Sequence, residues 1–398
     1  MLIEKAFRRY WIEPKQRAGE EKLSESFSAQ IEQHTKDSLE ARKLALLWLI
    51  RAQINDSHEG MGFDRAYNLR TQSWDLPYPE TTGYIIPSFL SQDEVFPALG
   101  LRTKAIEAGE WLKSTQFKSG AICSKQWFKG NDVPSVFNTG MVLHGYTSLC
   151  EHGEESSFLT NAIQAADWIT AQQDADGAWR INSFNNRPHS YYTMVAWALI
   201  RFGMWSNSFK YVEAGKRNLE WTISNQNVIG WIDHLGFNSS QFATTHTIAY
   251  SAQGLAESGL ILGNEDYIES AENLIRPLNN QFKKDGFLSG EFNQEWIPRG
   301  MIYKNGLNLQ RDRGPWECMT GTAQTSCTNW ALHSATKKAE YLSAAKSLNS
   351  HINKHQILSK DLNLNGGISG SWPLHGPYDT LCLPNHAAKF FIDALSKE

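Results

Sequence analysis

Two kinds of helix-length segment alternate along the chain. One kind, as in FLTNAIQAADWI (158–169) and YVEAGKRNLEWTI (211–223), puts charges on one side and apolar residues on the other. That spacing predicts an amphipathic helix with one wet face. The other kind is largely apolar and rich in small residues: TTGYIIPSFL (81–90), FNTGMVLHGYTSLC (137–150), HSYYTMVAWALIRFG (189–203), HTIAYSAQGLAESG (246–259), TGTAQTSCTNWALHSA (321–336) and NHAAKFFIDAL (385–395). Gly and Ala permit close helix packing, so these segments suit a buried inner layer. Six outer–inner hairpins predict an all-α fold, an (α/α)6 toroid over residues 38–398, with an open solenoid as the alternative. Residues 1–37 combine many charges and Pro14 with Trp11 and Phe27, and are expected to form an N-terminal arm or cap.

One ending punctuates the outer segments. WITAQQDADGAW (168–179) holds Trp168, Gln173, Gly177 and Trp179. Related copies hold Trp48 and Gln53; Trp111, Gln116 and Gly120; Trp221, Gln226, Gly230 and Trp231; Gln281, Gly286 and Phe287; and Gln356 with Gly366 and Gly367. The leading Trp is replaced by Arg276 and His351 in the last two. Such a period signals repeat architecture. Glycine supplies the left-handed backbone that ends a helix. The glutamine amide has donors and an acceptor for the unpaired groups of the last turn.

The Trp-Ile-x3-Gln-x3-Gly-x-Trp spacing at 168–179 resembles the QW motif of the terpenoid cyclase and protein prenyltransferase superfamily. The resemblance implies an α/α toroid with its site at one mouth of the central cavity. It does not extend to the chemistry: Asp174-Ala-Asp176-Gly177 fails the acidic Asp-x-Asp-Asp motif of hopene-type cyclases. Cys318, Cys327, His333 and His386 offer zinc-ligand types, but the close Asp-x-Cys pair of prenyltransferases is lacking. YPETTGY (78–84) and GGISGSWPLHGPYDTLCLPNHAAKFFIDAL (366–395) resemble a branch of these toroids associated with bacterial surface-polysaccharide gene clusters.

Composition narrows the function. A net charge of −4 without a basic run argues against nucleic acid. No stretch is long and apolar enough for a signal or membrane span, and five scattered cysteines do not make a disulfide framework, so a cytoplasmic protein is expected. The 15 Trp are many, and aromatic faces can carry sugars as well as fill cores. No phosphate-binding loop, GxSxG elbow or HExxH pair occurs, and no cofactor or metal is expected.

The starts of the inner segments all follow the turns, so ring closure would gather them at one end. Glu80, His189, Tyr192, Asp233, His246 and Glu317 are the catalytic candidates. Two carboxylates, Glu80 with Glu317 or Asp233, could divide acid and base work on a glycosidic bond. Alternatively a His and a Tyr could move protons beside a uronic acid while Asn138 and a second His neutralise its carboxylate. Trp74, Trp127, Asn138, Tyr191, Arg313, Trp316, Trp372, Tyr378 and Asn385 are the substrate-binding candidates. The long stretch 288–315 suits a lid or binding loop, with Arg299, Arg311 and Arg313 available to an anion.

These features predict an enzyme that cleaves (hydrolase or lyase) or modifies a bacterial surface polysaccharide or its lipid-linked precursor. The alternatives are an isoprenoid cyclase- or prenyltransferase-like enzyme, and a non-catalytic glycan-binding scaffold. The partner expected is an oligosaccharide or polysaccharide, with no nucleic acid and no integral membrane segment.

Overall fold

The computed structural model describes residues 13–29, 36–53, 61–126, 130–238, 242–300, 302–304, 310–312 and 314–398. Helix α1 (Glu13–Ser28) precedes the repeats. The outer helices are α2 (Ser38–Gln53), α4 (Leu101–Thr115), α6 (Glu155–Ala171), α8 (Phe209–Ser224), α10 (Glu265–Asp285) and α12 (Ala339–Lys354). The inner ones are α3 (Pro79–Gln92), α5 (Val136–Leu149), α7 (Thr193–Trp205), α9 (Thr245–Leu262), α11 (Met319–Thr336) and α13 (Asn385–Leu395). Each inner helix packs on the next, and α13 packs on α3, so the expected toroid is closed. No helix among the described residues is long and apolar enough to cross a membrane.

The inner ring is tight because its facing positions are small. A Cβ on Gly83 would lie 2.6 Å from the Met141 carbonyl of the next inner helix. Between the layers, Trp48, Phe89, Phe158, Phe202 and Phe391 are fully buried, each worth about 1.5–3 kcal/mol by the area it removes from water. Closure of last repeat on first uses polar contacts as well. Residues 66–68 pair antiparallel with 382–384, Ala66 facing Pro384. The Ser88 hydroxyl donates to Asp393 over 2.6 Å, and the rings of Tyr84 and Phe390 meet at 5.6 Å.

The recurrent glutamine does more than cap its own helix. Gln173 Nε2 donates to the Gly177 carbonyl of its own turn (3.0 Å) and to the Ala214 carbonyl of the next outer helix (2.8 Å). Gln116 reaches Gly120 and Asn161, and Gln226 reaches Gly230 and Ser270. Gln53 reaches Met61 and Lys104. Gln356 reaches Gly366 and, across the seam, Ala41 of the first outer helix. The fifth copy departs: Gln281 donates to Asp285 and accepts from the Ser289 amide, both within its own repeat.

The glycine belongs to the same clasp. Gly177 has φ +93°, and a Cβ there would lie 2.3 Å from the Arg217 carbonyl of α8. Gly286, in the departing copy, has φ +77° but nothing within 4 Å of such a Cβ. Both alanine variants carry the strain of a left-handed residue, roughly 1–2 kcal/mol, but only one adds a backbone collision. Gly177→Ala is therefore expected to lose at least about 2 kcal/mol more than Gly286→Ala in urea unfolding. Equal losses would show that the turn does not press on its neighbour.

Candidate active site

A cavity of about 610 Å³ opens at the end of the ring where the inner helices begin. Glu80 comes from the first turn of α3, Asn138 from α5, His246 from α9 and His386 from α13. Tyr191 and Tyr192 come from the short 3-10 turn before α7. Loops add Arg65, Tyr78, Phe184, Phe237, Tyr378 and Asp379. Helix α11 acts from behind, through Gln324, whose Oε1 lies 2.5 Å from His246 Nδ1.

Burial sets the charge states. It pushes the Glu80 carboxyl up to about 7, against the opposing pull of the Tyr78 hydroxyl and Arg65. Tyr78 donates to Glu80 Oε2 over 2.5 Å. Burial also disfavours a charged Asp379, but a hydrogen bond from His386 and the Arg65 guanidinium override it, holding this carboxyl well below the usual range. Arg65 bonds Asp379 at 2.7 Å and Asp75 at 3.0 Å, and His386 Nε2 lies 3.4 Å from Asp379 Oδ2. Two nearby carboxyls are thus driven apart, one poised near neutrality and one kept anionic.

His246 is held as a neutral imidazole. Burial, then the neighbouring His386, brings it down to about 3. The amide oxygen of Gln324 can only accept, so the proton sits on Nδ1 and Nε2 keeps its lone pair. The Gln324 amide in turn donates to Gln253 over 3.3 Å. The tyrosines are neutral donors: burial raises Tyr78, Tyr84, Tyr191, Tyr250 and Tyr378 well above their ordinary value, and Tyr192 to about 12.

One rim loop is strained. Asn182, Asn185 and Asn186 all have left-handed backbones (φ 60°, 56° and 48°), a conformation that asparagine tolerates better than most residues. Between them Phe184 is 46% exposed at the cavity edge, beside Phe237. Its amide donates to the Tyr192 hydroxyl (3.0 Å), and its carbonyl accepts from His189 Nε2 (2.9 Å).

Of the residues singled out in the sequence, Glu80, Asn138, Tyr191, Tyr192, His246 and Tyr378 line the cavity together. His189 stands behind it as a loop anchor. Asp233 is exposed, and it is held by its backbone, the amide donating to the Asn225 carbonyl and the carbonyl accepting from the Ser190 hydroxyl. Glu317 lies in a two-residue strand just before α11, is paired through its backbone with Trp372 and faces α12, where it meets His351 at 2.6 Å. Trp74 packs on Trp48 and Tyr67, Trp316 is buried against Gly290, and Trp372 packs on His355. These three fill structure and stay outside the cavity wall. Asn385 is fully buried and ties the seam, donating to the Asp64 carbonyl and Thr81 hydroxyl. Cys318 caps its own helix and Cys327 contacts the Phe390 carbonyl, so neither joins His386. Trp127 and Arg313 lie outside the described residues, as does the side chain of Arg311. The sequence reading missed Arg65, Tyr78, Tyr84, Tyr250 and Asp379, and named His386 only as a zinc-ligand type and a helix start.

Glu80 makes stability depend on pH with a definite sign. A carboxyl raised by folding favours the folded state below its ordinary value of 4.5, and that contribution is lost as pH rises through about 7. Wild-type protein should therefore lose about 3 kcal/mol between pH 4.5 and 8 from this group alone. Glu80→Gln should remove that slope, so that urea unfolding gives the larger gain at pH 8. Parallel pH curves for the two proteins would contradict the burial of an ionisable Glu80.

Comparison with known proteins adds a family match and a set of fold relatives. Residues 143–304, less than half of the chain, match the family described as Ulvan lyase N-terminal domain. No curated protein matches the sequence significantly. Among solved structures, an unsaturated glucuronyl hydrolase specific for heparin superposes with TM-score 0.69 at 16% identity, covering 90% of this chain and 96% of that one. Cellobiose 2-epimerase from Bacillus thermoamylovorans gives 0.69 at 12% identity, covering 91% and 98%. A D-mannose isomerase gives 0.66 at 14% identity, covering 91% and 98%. This chain shares with all three the α/α toroid, over nearly its whole length.

Proposed function

We propose that the protein is a carbohydrate-active enzyme, of hydrolase or lyase type, that processes an acidic polysaccharide or oligosaccharide in the ring cavity. One observation carries the proposal: a neutral imidazole with a free Nε2, a carboxyl poised near neutrality and a wall of neutral tyrosines share one buried cavity. The family match over 143–304 and the sugar-processing fold relatives support it. The isoprenoid alternative expects an aromatic cavity with a single acid, whereas this aromatic cavity holds Glu80, Asp379, His246 and His386 together. The context of a bacterial surface polysaccharide, free or lipid-linked, rests on the resemblance in 78–84 and 366–395 alone.

Elimination from a uronic acid uses these groups most fully. His246 Nε2 takes the proton from the carbon beside the sugar carboxylate. The electron pair forms a carbon–carbon double bond as the glycosidic carbon–oxygen bond breaks, and Glu80 gives its proton to the departing oxygen. Asn138 supplies a hydrogen bond to the carboxylate, which becomes a better acceptor as charge moves onto it. A second reading is hydrolysis by Glu80 as acid with Asp379 as the ionised partner, favoured by the opposite directions in which those carboxyls are driven.

Product analysis separates the two. Incubation with uronate-containing polysaccharides should yield an ultraviolet-absorbing double bond together with new reducing ends. His246→Ala and Glu80→Gln should each lower kcat/KM by roughly 10²–10⁴-fold. The wild-type rate should fall as pH rises through about 7, the range in which Glu80 loses its proton. Reducing ends without the double bond would transfer the assignment to hydrolysis. Neither product, with sugar binding retained, would leave a binding scaffold.

A further inference from the structure

We propose that Glu317, His351 and His355 form a site for a divalent cation of the zinc type, clasping the sixth hairpin to the start of the fifth inner helix. One ligand atom from each side chain lies within 4.8 Å of the other two. His351 Nε2 is 2.6 Å from Glu317 Oε2. His351 lies in the last turn of α12 and His355, four residues on, caps the end of that helix, with ring centres 4.7 Å apart. His355 donates Nδ1–H to the His351 carbonyl over 2.9 Å, which leaves Nε2 as its lone-pair nitrogen. An imidazole anchored by its other nitrogen to a backbone carbonyl is the usual setting of a metal-ligating histidine.

The surroundings are those of a shaped site. Phe282 meets His351 edge-on at 5.5 Å and Trp372 meets His355 at 5.0 Å, walling two sides. The His351 side chain keeps 14% exposure, which gives an ion a way in. Two imidazole nitrogens and one carboxylate oxygen suit zinc, with a fourth position for water. None of the three residues lines the acid–base cavity.

The location is independently informative. In the other repeats a glutamine joins each turn to the next outer helix, whereas Gln281 turns back on its own repeat. The fifth-to-sixth outer junction thus lacks the amide clasp. Glu317 closes the long connection after that turn and reaches α12 through His351. A cation shared by these three groups would supply at this junction the cross-repeat bond that glutamine supplies elsewhere.

Full-length protein stripped with a chelator should be titrated with zinc by calorimetry, and with cobalt by absorbance. Wild type should bind about one equivalent of zinc and gain thermal stability. Glu317→Gln, His351→Ala and His355→Gln should each weaken binding by at least ~10-fold. His355→Gln leaves the Glu317–His351 pair intact, so its unliganded melting temperature should match wild type and keep the comparison valid. Cobalt should show no intense thiolate charge-transfer band, since no cysteine is in the set. Absence of zinc binding by wild type, undiminished affinity in His355→Gln, or a thiolate band from one of the five buried cysteines would each overturn the proposal.

Discussion

The architecture depends on one hydrogen-bonding group used over and over: a glutamine amide at the end of an outer helix, donating at once to its own turn and to the neighbouring helix. Each helix end has carbonyls without intrahelical partners, and a buried one left unpaired is destabilising. Placing a double donor there satisfies the turn and links repeats in the same act. Because Gln356 spans to Ala41, the chain of clasps runs through the seam between last and first repeat. Closure is what makes Arg65, Glu80, Asn138, Tyr191, His246 and His386 neighbours, although more than 300 residues separate the first from the last.

The same closure controls the chemistry. A ring of small-residue helices leaves a cavity open at one end, and charge on the buried groups at its floor, Glu80 and His246, is opposed by burial. Groups with partners resist that pressure and groups without them yield. Asp379, held between Arg65 and His386, stays anionic, while Glu80, with one tyrosine hydroxyl close by, moves towards its neutral form. His246 yields too, and Gln324 decides which of its nitrogens keeps the lone pair.

The fold was legible because its determinants are local and repeated: the Gln-Gly endings and the small-residue inner segments each state their role several times. The site was legible only where it sits on that repeat, as with Glu80, Asn138 and His246. Residues supplied by irregular connections were not. Arg65 and Asp379 meet across the seam, and no periodicity points to loop residues 314 positions apart. Tyr250 was readable in principle, one turn after His246 on the same helix face. Glu317 shows the opposite error. It stands at the equivalent place in its repeat, but the longer fifth connection pairs its backbone with Trp372 and swings the carboxylate outward. Trp74, Trp316 and Trp372 stand outside the cavity wall for a plainer reason: each has a structural neighbour to cover, and a large ring in a loop is as often a plug as a platform.

The asparagine loop on the rim is fastened by the backbone of Phe184, its amide to Tyr192 and its carbonyl to His189. Neither fastening uses the phenyl ring, which is left at the opening with Asn185 beside it. The side chains a ligand would meet first are therefore decoupled from those that keep the ring shut. Changes at these positions can reshape the opening while the ring and the groups buried beneath it stay as they are.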